Sequence, residues 1–141
     1  MVLAILVSVS FGFLSTGSRA FDKIALRDEI LSALRRAQQT AMARQGVNMT
    51  VTVGSQNALL VLKENGSIIE NRAISLRNIE LSFGTLGAGV SCTSSLTLDL
   101  DYSGSGEIEL ADPDGLQVCI DGAPALCISP TGFAYLDGCA L

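Results

Sequence analysis

The chain has 141 residues, 48% of them hydrophobic and 16% charged, which is one domain's length and too apolar for a disordered chain. There is no histidine or tryptophan and aromatics are 5%, which excludes Ser-His-Asp and Cys-His nucleophiles, His-ligated metals and aromatic base-stacking platforms. The net charge of −5 is split: residues 1–77 hold all nine basic side chains against five acids, and residues 78–141 hold nine acids and no base, a surface that repels nucleic acid.

Residues 1–14, MVLAILVSVSFGFL, form an uncharged apolar run. A bilayer-spanning helix needs about 20 such residues. Three readings fit: a buried core helix, a signal peptide, or the visible part of a longer anchor. No basic region precedes the run, but Ser18-Arg19-Ala20 is a small-x-small site that would place cleavage before Phe21.

Residues 19–44 read as an amphipathic helix. At about 100° per residue, Ala20, Ile24, Leu26, Ile30, Leu31, Leu34, Ala37, Ala41 and Met42 share a stripe roughly 160° wide. Arg27 and Gln38 interrupt it, and Gly46 is a stop signal. Continuous helix from Met1 to about Gln45 would be about 65 Å long at ~1.5 Å per residue, longer than so small a domain is wide. The front part is therefore expected in a membrane, in a partner, or removed.

Beyond Gly46 the period becomes that of strands. Val47, Met49, Val51 and Val53 alternate with Asn48, Thr50 and Thr52, and a turn at 54–57 leads into a strand over 58–63. Asn65-Gly66 is a hairpin signal before a strand over 67–72. Apolar parity then slips between Leu76 and Ile79, which predicts a bulge near Arg77-Asn78. A glycine-rich loop over 84–89 precedes strands expected near 95–102, 107–111, 116–120, 125–129 and 133–136, with a type I turn at Asp112-Pro113-Asp114-Gly115. The expected fold is α+β: an N-terminal helix over 1–45 (an anchor part at 1–14, an amphipathic part at 19–45) covering an antiparallel β domain over 46–141.

The hairpin around Ser103-Gly104-Ser105-Gly106 is acidic. Pairing Leu100 with Ile108 and Leu98 with Leu110 sets Asp101 opposite Glu107 and Asp99 opposite Glu109, an unfavourable juxtaposition. Three readings fit: a solvated edge that repels edge-to-edge pairing, a contact with Arg35 or Arg36 of another subunit, or a calcium site at Asp99, Asp101, Glu107 and Glu109. No further metal ligand and no cofactor is expected.

Cys92, Cys119, Cys127 and Cys139 have spacings unsuited to zinc or dithiol redox motifs, and an even count suggests two disulfides in an oxidising compartment. Pairing residues 118–120 with 126–128 across a loop at 121–125 would put Cys119 opposite Cys127, leaving Cys92 for Cys139. Asn48-Met49-Thr50 and Asn65-Gly66-Ser67 match glycosylation sequons. No nucleophile–base pair can be assembled, so enzymatic activity is not expected.

The segment VLAILVSVSF followed by LRDEILSALRRAQQTAMARQGVNMTVTV resembles type IV pilin-like proteins, specifically minor pseudopilins of the GspH and FimT type. In that family a helix runs into a strand much as over 37–53 here, and a later turn is similar to Ser129-Pro130-Thr131-Gly132-Phe133. The family's short basic leader, Gly cleavage site and Phe-Thr-Leu-x-Glu start are missing, and Met1 falls about seven residues into the family's mature chain. The resemblance implies a pilin-like fold and a structural minor subunit of a type II secretion or type IV pilus machine. Its partners would be other pilin or pseudopilin subunits. It would be held in the bacterial inner membrane by a single N-terminal helix, with the β domain in the periplasm and no nucleic-acid partner. Relatives that bind DNA use basic C-terminal regions, which this chain lacks. The alternative reading is a secreted or periplasmic disulfide-stapled binding module released after Ala20.

Overall fold

The computed structural model describes residues 2–85, 92, 95–109, 115–137 and 139, with side chains from residue 17 onward, Thr85 excepted. One helix, α1 (Val2–Ala43), is followed by eight strands: β1 (Val47–Val53), β2 (Asn57–Glu64), β3 (Ser67–Ser75), β4 (Leu81–Thr85), β5 (Thr97–Tyr102), β6 (Leu116–Ile120), β7 (Ala123–Ile128) and β8 (Ala134–Leu136). They form two four-stranded antiparallel sheets, ordered β3-β2-β1-β5 and β4-β6-β7-β8. The expected α+β class, one helix with antiparallel sheets, is what the chain adopts.

Leu26, Ile30, Leu31, Leu34, Ala37 and Ala41 of α1 are buried, as the 3.6-residue period requires. Ala20, Ile24 and Met42, expected on that stripe, are exposed. Helix ends at Ala43, and Gly46 takes φ +70°, the left-handed conformation glycine adopts without penalty. The stripe lies on the inner-facing residues of both sheets, among them Val47, Met49, Leu60, Leu100, Val118 and Leu126, in one continuous core. Each of these fully buried aliphatic side chains contributes about 1.5–3 kcal/mol.

Asn65-Gly66 forms the tight β2–β3 turn, both residues with positive φ. The parity slip after Ser75 is not a bulge in a continuing strand. Arg77 and Asn78 both adopt positive φ, and the Ile79 N–H donates to Leu76 O at 2.8 Å. The chain turns there and changes sheet, which re-phases the alternation. The bulge of the first sheet instead lies between Leu62 and Lys63, opposite β3. The two sheets are joined at residues 95–96: the Phe83 N–H donates to Ser95 O and the Val53 N–H to Leu96 O. In the described part of the strand expected at 107–111 the ladder is a single bridge between Tyr102 and Ile108; residues 110–111 lie outside the described residues. Most of the 84–89 loop and of the 112–115 turn lies outside the described residues.

The register of β6 on β7 overturns the expected cysteine pairing. The disulfides are Cys92–Cys119 and Cys127–Cys139. The loop is not five residues but the two-residue turn Asp121-Gly122, at φ 50° and 73°. That tight turn and a bulge after Val118 set Cys119 opposite Pro124 and Cys127 opposite Gln117. Cys119 and Cys127 are thus not directly opposed, and each bonds a cysteine outside the hairpin.

Candidate functional site

Ion pairs fix how α1 sits on the sheets. On one flank Asp22 pairs with Arg77, Glu29 with Arg72, Arg36 with Glu70 and Arg44 with Glu64. The helical members recur about every seven residues, two turns apart, so they share one side of α1. Their partners follow β3 and the ends that flank it. Glu70 and Arg72 also point inward from an edge strand, which disfavours pairing with another chain's strand. On the other flank Arg19 and Lys23 both reach Asp121, at 3.0 and 2.8 Å. Lys23, the Glu80 backbone N–H and Arg19 together lower the Asp121 carboxyl to about 2. Arg27, within the expected apolar stripe, is half-buried and pairs with its neighbour Asp28.

Gln38, the other interruption, is buried at 6% exposure. Its Nε2 donates to Thr131 O at 3.2 Å and Gly106 O at 3.4 Å. The Ile108 N–H donates to Pro130 O at 3.0 Å. Gly132 packs so close that an added Cβ would stand 2.0 Å from Gly106 O. The Ser129-Pro130-Thr131-Gly132 turn is therefore where α1, the 103–109 loop and the second sheet interlock. No property of the sequence short of the fold brings residue 38 to residues 106 and 131.

The acidic hairpin is shifted from the expected register. Tyr102 bridges Ile108, and the Ser103 N–H donates to Glu107 O and the Glu109 N–H to Asp101 O. The three-residue loop is 104–106, because Gly106 supplies the positive φ (82°) that such a loop needs at its last position. Asp101 therefore faces Glu109, Glu107 faces Ser103, and the expected Asp101–Glu107 and Asp99–Glu109 oppositions do not form; Leu110 lies outside the described residues. On the other side of β5 the Asn48 amide donates to both Asp99 and Asp101 at 2.7 Å, and Thr50 donates to Asp99. A neutral amide thus occupies the space between the two carboxylates. Among the described residues no three carboxylates or thiols come together in a way that could hold a metal ion. The four acids named for calcium are not gathered into one cluster.

Cys119 and Cys127 lie on the outer face of the second sheet with Ser82, Gln117 and Tyr135. Ser82, Gln117 and both cysteines are nonetheless buried, and the two cysteines are bonded from this face to Cys92 and Cys139. Among the described residues two buried groups lack a hydrogen-bond partner: Gln117 Nε2 and the Tyr102 hydroxyl. Burial pushes the Tyr102 hydroxyl above its ordinary pKa.

Among the described residues, seven of the nine basic side chains are in ion pairs, Arg35 and Lys63 being the exceptions. In residues 78–141 Asp121 is the one described acid so paired. The basic half is thus largely neutralised by its own fold, and Asp99, Asp101, Glu107 and Glu109 remain as an exposed acidic edge.

Among the described residues no helix is long and apolar enough to cross a membrane. The anchor expectation falls on residues 1–14, whose side chains lie outside the description. Comparison with protein-family models, with curated proteins and with solved structures finds no match.

Proposed function

We propose that the chain is a structural minor subunit, pseudopilin- or pilin-like, of a type II secretion or type IV pilus machine, held in the bacterial inner membrane by α1 until it enters a filament. The observation that carries this reading is the division of α1. The helix is 42 residues, about 63 Å at 1.5 Å per residue, and among its side chains described from residue 17 onward the buried ones run from Leu26 to Ala41. Arg19 and Lys23 reach only the rim of the β domain, and Phe21 is 74% exposed. The apolar run of residues 2–14 continues the same helix ahead of that rim. Such a helix suits a two-part task, with its rear half seated on sheets and its front half offered to lipid or to neighbouring helices. The N-terminal sequence resemblance agrees with this division, as do disulfides, which persist in an oxidising compartment.

The test is fractionation of a Gram-negative host expressing the full chain. Resistance of the membrane-bound chain to alkaline carbonate, with an intact mass that retains residues ahead of Phe21, supports the reading. A detergent-free periplasmic protein beginning at Phe21 overturns it in favour of a secreted module.

A further inference from the structure

The chain has five asparagines, Asn48, Asn57, Asn65, Asn71 and Asn78. An asparagine amide is open to attack by the backbone nitrogen of the next residue when that nitrogen is neither hydrogen-bonded nor crowded. Asn48, Asn57 and Asn71 precede residues held within β1, β2 and β3, and the Asn48 amide is also taken up by Asp99 and Asp101. Asn78 lies in a turn, but the next N–H, on β-branched Ile79, donates to Leu76 O at 2.8 Å. Asn65 differs from all four. It is exposed in the two-residue turn between β2 and β3. The next residue is Gly66, whose N–H makes no hydrogen bond among the described residues. A Cβ built on Gly66 would meet nothing within 4 Å, so the space around this residue is open.

We propose that Asn65 is a site of spontaneous deamidation, with water as the only co-reactant. The Gly66 nitrogen gives up its proton and bonds to Asn65 Cγ; the Cγ–Nδ2 bond breaks and Nδ2 leaves as ammonia. Water then opens the five-membered imide at one of its two carbonyls. Opening at Cγ leaves aspartate in a normal backbone. Opening at the backbone carbonyl leaves isoaspartate, with the chain running through the side-chain carbon. Bringing the nitrogen onto Cγ takes a local opening of the turn, which costs little at an exposed tip. The product alters a defined corner of the fold. Asn65 Oδ1 lies so close over Gly46 that a Cβ there would stand 2.1 Å from it, and the Asn65 N–H donates to Gly46 O at 2.8 Å. Aspartate adds a charge beside Glu64, the partner of Arg44, and isoaspartate adds a backbone methylene to the turn.

The experiment ages the folded, oxidised full chain in mild detergent at neutral pH in heavy-oxygen water, then denatures and digests it with trypsin. Cleavage after Lys63 and Arg72 isolates residues 64–72, which carry both Asn65 and Asn71. Conversion to acid with uptake of the oxygen label is expected at position 65, as a mixture of aspartyl and isoaspartyl isomers. It should run about tenfold or more ahead of position 71, where the next residue bears a side chain. A position 65 that stays unlabelled, that labels only once the chain is reduced and unfolded, or that labels no faster than position 71 overturns the proposal.

Discussion

Gln38 is the side chain on which three distant segments depend. Its amide donates to carbonyls of Gly106 and Thr131, and replacement by leucine leaves both acceptors without that donor, the Gly106 one buried. Gln38→Leu is expected to cost about 1–3 kcal/mol, read as a lowered denaturant midpoint. Gly132→Ala should cost about as much or more, since φ +84° is strained for alanine and its Cβ meets Gly106 O. Asp121 gives a pH signature. Its folded carboxyl lies at about 2, below the ordinary 3.8, so its stabilisation is present above about pH 4 and is lost as pH falls through about 2. Solvent screening limits it to about 1 kcal/mol or less. Asp121→Asn, which tolerates the positive φ of this turn, should be slightly less stable than the parent at pH 5–7 and equal to it near pH 2. A constant difference across that range would contradict the assignment.

At the scale of elements, local signals predicted local structure well. The buried positions of α1 from Leu26 to Ala41, the Asn65-Gly66 turn and the alternation of β1 follow from periodicity and turn chemistry alone. Where partners lie far apart in sequence, periodicity does not reveal them. Gln38 looked like a flaw in an apolar stripe because its acceptors are 68 and 93 residues away. The parity change at Arg77-Asn78 looked like a bulge because sequence does not announce a change of sheet. Asp121-Gly122 is itself a strong two-residue turn signal, and the β6–β7 register it sets does not oppose Cys119 and Cys127. Peptide mapping without reductant should return Cys92–Cys119 and Cys127–Cys139. Replacing the second pair by serine should cost about 3 kcal/mol in the chain-entropy account of a loop this size. Recovery of a Cys119–Cys127 peptide would contradict the register.

For the whole molecule, charge is what the fold redistributes most. Sequence counts alone suggest a basic half facing an acidic half. In the fold the basic half is consumed by ion pairs that lash α1 to β3 and to Asp121, and the surplus is an acidic edge at β5. Exposed pairs of this kind contribute about 0–1 kcal/mol each; their larger effect is to set the register of α1 on the sheets. That leaves a helix seated over 26–41 and continuing about 35 Å ahead of Leu26 at 1.5 Å per residue. In the proposed function this forward part holds the chain in a membrane. Alkaline carbonate extraction of membranes containing the full chain, followed by intact-mass measurement, tests it most directly. The account predicts a chain that stays in the membrane pellet and keeps its residues ahead of Phe21; a soluble chain starting at Phe21 would contradict it.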